Sequence, residues 1–194
     1  KGLSKTIDGQ AMFHSLSFRV EKGDKIAFVG TGDLSKTTLF QILTGEIPQD
    51  TGTIHWGTST SRAYYPKDHS YYFKSDRNII EWLNQYAPDA TELFLRGLLG
   101  QMLFSGEEAL KLVRLLSGGE RVRCMLARMM LLRANVLILD EPTNHLDLES
   151  ITALNEGLER FRGTVLFASQ DHQLVQTIAT RIIEITPKGY LDQR

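Results

Sequence analysis

Three things are scarce in this 194-residue chain: cysteine, net charge and long apolar runs. The single cysteine, Cys124, excludes an internal disulfide and a cysteine-based zinc site, and it fits a reducing compartment, so a cytoplasmic location is expected. Cys124 sits in a strongly helical run, where core packing is its expected role. With 22 Lys and Arg against 23 Asp and Glu, the formal net charge is -1, which excludes a global basic field for nucleic acid and leaves only a local basic face open. No uninterrupted apolar stretch approaches the roughly 20 residues that a membrane span needs, and no signal peptide precedes the fold, so no membrane partner is expected. The chain starts at Lys1 without an initiator Met and reads as a piece of a longer protein or a processed chain. Its 42% apolar and 23% charged residues are an ordinary soluble composition, enough over this length for one domain with a full core.

What is present is an alternation of strand and helix signals. The runs "FHSLSFRV" and "KIAFVG" predict two strands within residues 13–30, joined by the turn "EKGD", with a helix starting at Lys36. "GTIHWG" and "SRAYYP" predict further strands, the latter ending at Pro66. From Asn78 to Arg133 the periodicity is helical, broken at Pro88, Gly106 and "SGG". Strands return in "NVLILD" and "TVLFAS", each followed by a helix, and end with "RIIEIT". The pattern predicts a single α/β domain with a mainly parallel sheet, its core in residues 1–66 and 134–194 and a helical subdomain over about 67–133.

Three segments could carry chemistry. "GTGDLSKTT", from Gly30 to Thr38, follows a strand and opens a helix, in the manner of a phosphate loop of the form G-x-x-x-x-G-K-[ST]. Gly30, Lys36 and Thr37 hold their places, while Ser35 stands where the second glycine belongs. In such a loop the backbone N–H groups of Thr31, Gly32, Asp33, Leu34 and Ser35 converge on phosphate, Lys36 adds a positive charge and Thr37 offers a hydroxyl to Mg²⁺. A glycine-rich turn with a surface lysine is the plainer alternative. "NVLILDEPTNHLD" is an apolar strand ending in two adjacent carboxylates, Asp140 and Glu141; a Mg²⁺-ATP site needs one for the metal and one for the attacking water. An acidic strand end facing solvent would look the same. "LSGGE", from Leu116 to Glu120, places a hydroxyl and two glycines at a helix start, an anion-binding end, or simply an N-cap with Ser117 as cap and Glu120 at the third helical position.

Together the three segments resemble the ATP-binding cassette family, with "GTGDLSKTT" as its Walker A motif, "LSGGE" as its signature and "LILDE" as its Walker B, in the family's order over nearly the whole chain. "DEPTNHLDLES" is similar to the ABC-F group, soluble twin-cassette proteins that act on ribosomes, and the chain looks like a second cassette of that group. The resemblance implies a P-loop NTPase fold with a RecA-like parallel sheet, an antiparallel β element and an inserted helical subdomain. It implies ATP and Mg²⁺ as cofactors. Lys36 would bind the β- and γ-phosphates, Thr38 the α-phosphate, Thr37 and Asp140 would hold Mg²⁺, and Glu141 would be the general base. Ser117, Gly118, Gly119 and Glu120 would serve the ATP held by a second cassette, in the same full-length chain or a second copy, with Leu146 and Asp147 in the coupling loop.

The sequence departs from the family's pattern at four positions. Asp33 and Ser35 replace glycines, for which a strain of about 1–3 kcal/mol each is expected, and the Asp33 charge at about 6 Å from a phosphate charge would repel it by about 3 kcal/mol at an effective dielectric near 20. Lys67 occupies the place of the family's Q-loop glutamine, where it would repel Mg²⁺ but could bind γ-phosphate. Gln170 replaces the switch histidine, keeping an amide for γ-phosphate and losing an imidazole. No aromatic near Ile7 offers itself to adenine, and Phe13 reads as core. The expectation is a weak or asymmetric ATPase, with two alternatives: a non-hydrolysing scaffold that contacts RNA through Arg121, Arg123, Arg128 and Arg133, or the nucleotide-binding subunit of a transporter. A solvated helix surface is the plainer role for those arginines.

Overall fold

Parallel strands that are covered on both faces need continuous apolar runs, and "KIAFVG", "NVLILD" and "TVLFAS" supply them. The structure, a computed structural model, describes residues 1–30, 32–186 and 189–193. The chain divides into two compact units, one of residues 1–67, 135–142 and 154–194, the other of 68–134 and 143–153.

In the first unit, β1 (Leu3–Ile7) and β2 (Gln10–Leu16) form an antiparallel pair. Next come β3 (Lys25–Gly30), α1 (Asp33–Thr44) and β4 (Arg62–Tyr65), then β5 (Val136–Asp140) and β6 (Thr164–Ala168). The chain ends with α6 (His172–Ile178), β7 (Arg181–Thr186) and β8 (Gly189–Gln193). The main sheet has the order β4-β5-β6-β3-β7-β8, parallel except for β8, which runs antiparallel to β7. Ile26, Phe28, Ile138 and Leu166 of the sheet pack with Leu39, Phe40 and Leu43 of α1 in one apolar core. Gly45, at φ 83°, ends α1 in a left-handed turn whose N–H groups return to Gln41 and Ile42 carbonyls.

Three local expectations are corrected. Helix α1 starts at Asp33, three residues before Lys36. "GTIHWG" is not a strand: Thr51, just before it, makes one isolated bridge to Ser4, and Thr53 exchanges hydrogen bonds with the Lys1 backbone outside any ladder. β2 ends at Leu16, after Ser15 takes a positive φ of 51°. β1 and β8 carry too few apolar residues to stand out in sequence.

In the second unit, α2 (Ile79–Asn84) and α3 (Glu92–Gln101) are capped by Asn78 and Thr91, and α4 (Gly118–Leu131) by Ser117. Helix α5 (Leu148–Arg160) begins in this unit. Trp82, Leu95, Val122 and Met125 are buried, and the Phe73 ring stacks on Trp82 with centroids 5.0 Å apart. Three arginines of α4 are half-buried over aromatic rings: Arg121 over Phe73, Arg123 over Phe104, and Arg128 over both Tyr72 and Tyr86 at 4.8 and 4.6 Å. They knit this unit together, which corrects the reading of them as a solvated or RNA-facing row. Arg133 is exposed.

Candidate functional site

Because β3, β4, β5 and β6 are parallel, the residues that follow their carboxyl ends collect at one edge of the sheet. Gly30 closes β3, Lys67 follows β4, Asp140 and Glu141 close and follow β5, and Gln170 follows β6. Helix α1 starts from the same edge with its N-terminus. Within this unit the structure brings together Gly30, Gly32, Asp33, Leu34, Ser35, Lys36, Thr37, Thr38, Lys67, Asp140, Glu141 and Gln170. Thr31 lies outside the described residues.

Lys36 is 7% exposed, and its Nζ donates to Asp33 Oδ1 at 3.1 Å and to the Gly30 carbonyl at 3.4 Å. The Thr37 hydroxyl donates to Asp140 Oδ2 at 2.6 Å. Burial pushes the Asp140 carboxyl up to about 6, against the pull of the Thr37 hydrogen bond and with the Glu141 charge adding to the rise. Glu141 is 2% exposed and takes a left-handed φ of 52°, a conformation that costs a side chain about 1–3 kcal/mol and that clusters at functional sites. Its Oε2 accepts from the Gln170 backbone N–H at 3.1 Å, while its Oε1 is buried without a hydrogen-bond partner. The Thr38 hydroxyl is buried without a partner as well.

Asp33 and Ser35 are not strained. Both take right-handed helical backbone in the first turn of α1, and the positive φ values of the described loop fall on glycines, Gly30 at 119° and the N-cap Gly32 at 94°. Starting the helix early removes the need for glycine at the two positions. The buried Ser35 hydroxyl packs on Met12 Sδ at 4.0 Å. Leu34 turns its side chain to solvent, leaving only its backbone for an anion. Nor is the Asp33 charge a bare one. Its Oδ2 accepts from Lys67 Nζ at 2.9 Å and from Gln170 Nε2 at 3.0 Å, and its Oδ1 from Lys36. Lys67 first, then Lys36, hold the Asp33 carboxyl below the ordinary aspartate range, and Asp33 in turn raises Lys67. The simple repulsion expected between Asp33 and phosphate is replaced by a neutralised cluster. No local signal could have revealed it: Lys67 and Gln170 lie 34 and 137 positions from Asp33.

Thr37 and Asp140 fit a magnesium ion: both side chains offer hard oxygen donors, and these stand 2.6 Å apart. Among the described residues no group of three or more His, Cys, Asp or Glu could hold a metal alone. Mg²⁺ bound with a nucleotide needs only one or two protein carboxylates, the rest of its shell coming from phosphate and water.

The signature residues belong to the second unit. Ser117 and Glu120 form a reciprocal capping box: the Ser117 Oγ accepts from the Glu120 N–H at 3.3 Å, and Glu120 Oε2 accepts from the Ser117 N–H at 2.6 Å. Burial opposes the charged form of Glu120, but Lys111, at 2.8 and 3.0 Å, and Ser117 outweigh it and hold the carboxyl low. Glu120 is thereby occupied in fixing the helix start. A side chain on Gly118 or Gly119 would press on His145, at 3.3 Å from its Cβ and its carbonyl oxygen respectively. Asp147 accepts from the Ser150 N–H at 2.8 Å and caps α5, and the Leu146 N–H returns to the Thr143 carbonyl. Phe13 is part of the apolar core, and Ile7 packs against it.

The family model described as ABC transporter matches residues 13–144. The ABC transporter ATP-binding protein YkpA of Bacillus subtilis is 61% identical over all of this chain, and the ATP-binding protein YbiT of Escherichia coli O157:H7 is 41% identical over 99% of it, each alignment taking in 36% of the relative. The ABC transporter F family member 2 of Arabidopsis thaliana is 31% identical over 99% of this chain and 28% of its own. The chain therefore spans about a third of the length of these relatives. Among solved structures, an RNase-L inhibitor superposes with a TM-score of 0.81 at 23% identity, over 98% of this chain and 38% of that one, a likeness of fold. No described helix is long and apolar enough to cross a membrane.

Proposed function

This chain belongs to the ABC transporter family of ATP-binding domains, and from that membership we propose that it is an ATP-hydrolysing cassette whose own site is built on Lys36, Thr37, Asp140 and Glu141. One observation carries the reading: the Glu141 carboxylate is anchored through Oε2 to the Gln170 N–H and presents Oε1, buried and unpartnered, beside the Thr37–Asp140 pair. An oxygen held in that way suits a water that must lose its proton as it attacks phosphorus.

Lys36 presents a buried ammonium with three donors to the β- and γ-phosphates. The first N–H groups of α1, and the partial positive charge at its N-terminus, favour the phosphate oxygens nearer the loop, with Thr38 toward the α-phosphate. Thr37 Oγ and Asp140, now joined by a hydrogen bond, would hold Mg²⁺. Bound Mg²⁺ supplies Lewis-acid neutralisation of the phosphate charge. Glu141 orients the water and accepts its proton, and Gln170 keeps the carboxylate from rotating away.

The wider role has three parts. The cassette is the second of a twin-cassette ABC-F protein, it works opposite another cassette or a second copy through Ser117, Gly118 and Gly119, and it acts on the ribosome in the cytoplasm. The length of the relatives supports the twin-cassette organisation, since each leaves room for a further cassette. The resemblance of "DEPTNHLDLES" to the ABC-F group supports the ribosomal role. A second reading, a non-hydrolysing scaffold, is favoured by the Asp33 carboxylate that already occupies Lys36.

Calorimetric titration with Mg²⁺-ATP and a phosphate-release assay separate the two. The ATPase reading expects Lys36→Ala to lose binding, and Glu141→Gln to bind ATP normally while turnover falls about 10²-fold or more, the usual weight of a general base. Unchanged turnover in Glu141→Gln would remove Glu141 from the mechanism. ATP binding with no turnover in the presence of the partner cassette would establish the scaffold.

A further inference from the structure

We propose that Asp33 is a built-in competitor for the terminal phosphate, and that Lys67 is the residue through which the site distinguishes a nucleoside triphosphate from a diphosphate; this rests on the ATP-site reading above. The Asp33 carboxylate stands in the first turn of α1 and gathers three donors: Lys36 Nζ at 3.1 Å, Lys67 Nζ at 2.9 Å and Gln170 Nε2 at 3.0 Å. Two ammonium groups and an amide converging on two oxygens are the donor set that a phosphate takes. The cluster is made from three separate stretches of chain, and its one anion comes from the loop meant to cradle phosphate.

The placement of Lys67 selects the terminal phosphate. Lys67 follows β4, and Tyr65 of β4 pairs in parallel with Leu139 of β5, so Lys67 leaves the sheet at the same edge as Asp140 and Glu141 and beside them. The phosphate on that side is the one under attack. A diphosphate ends short of it and leaves Lys67 and Gln170 with Asp33. A triphosphate offers them an acceptor of higher charge, and Asp33 must release both lysines for it to settle. The side chains of Asp33 and Lys67 are 37% and 38% exposed, so their exchange involves no core rearrangement.

Calorimetric affinities for Mg²⁺-ATP and Mg²⁺-ADP test this in wild type, Asp33→Asn, Asp33→Gly and Asp33→Asn/Lys67→Gln, each checked for folding by circular dichroism. Both single variants are expected to bind Mg²⁺-ATP more tightly, by about three- to tenfold, as befits the loss of two partly exposed ion pairs. Adding Lys67→Gln to Asp33→Asn is expected to weaken Mg²⁺-ATP by about tenfold and Mg²⁺-ADP by less than about twofold, since only one bears the phosphate that a charged donor meets. Unchanged or weaker ATP binding in both Asp33 variants would overturn the competitor, and equal losses for the two nucleotides would overturn the Lys67 assignment. If no protein of the set binds either nucleotide at millimolar concentration, the ATP-site reading itself falls and takes this proposal with it.

Discussion

Replacing Gly30 by Ala tests whether the first glycine of the phosphate motif serves the nucleotide or the sheet. Gly30 closes β3 at φ 119° and pairs with Ile185 of β7, and a Cβ there would stand 2.1 Å from the Ile185 carbonyl oxygen and 3.0 Å from its C and N. Favourable contacts begin near 3.5 Å, so the two strands would have to part by about 1.4 Å beside the buried Ile185. A side chain at positive φ costs about 1–2 kcal/mol, and forcing atoms into a packed interior about 1–3 kcal/mol more. The sum, about 2–5 kcal/mol, is a large share of a typical domain stability of about 5–15 kcal/mol. For a chain of this size it corresponds to a fall in Tm of about 5–20 °C. Gly45→Ala is the control, because Gly45 has a similar φ of 83° but nothing within 4 Å of its added Cβ, so it carries the backbone cost alone, about 1 kcal/mol. Thermal unfolding followed by far-ultraviolet circular dichroism reads both. If the two variants melt together, the clash with Ile185 is not limiting. If Gly30→Ala keeps full stability but loses ATP, the glycine is there for phosphate and the argument from the sheet is wrong.

Two further outcomes follow from the second unit. Arg128→Ala removes a guanidinium that lies 4.8 and 4.6 Å from the Tyr72 and Tyr86 ring centroids; a loss of about 1–2 kcal/mol in a denaturant titration is expected, and an unchanged midpoint would return Arg128 to the surface role. Glu120→Ala breaks the capping box and the Lys111 ion pair, at a cost of about 1–2 kcal/mol at pH 7. Because the folded-state carboxyl is held low, its stabilisation is complete above the unfolded value of about 4.3 and disappears as pH falls through the lower folded one. The gap between wild type and variant should therefore close on acidification, and a gap that widens below pH 4 would contradict the assignment.

Much of the site was legible because its chemistry is local. Lys36 and Thr37 stand together after one strand, Asp140 and Glu141 together at the end of another, and Ser117 reads as an N-cap from four consecutive residues. The parallel sheet could be read for a related reason: strands buried on both faces must be continuously apolar, as "TVLFA" is. Edge elements escaped. β1 and β8 each expose a face, and "GTIHWG" has the alternation of a strand but spends its backbone on irregular contacts with residues 1–4.

Residue identity and spacing along the chain were enough to determine the class of fold and the ATP-binding family, and to nominate the residues proposed to act in it. Only the tertiary structure decided what the unusual residues do. Taken one at a time, Asp33 is a misplaced charge, Lys67 a repellent for a metal and Gln170 a weakened histidine. In the folded chain they are hydrogen-bond partners. The physical reason is that charge compensation acts through space over a few ångströms, whereas a sequence orders residues by covalent distance, and 137 positions separate Asp33 from Gln170. Gly30 carries the same lesson in steric form: its side-chain-free backbone is demanded by the Ile185 carbonyl, which nothing near Gly30 in the chain announces.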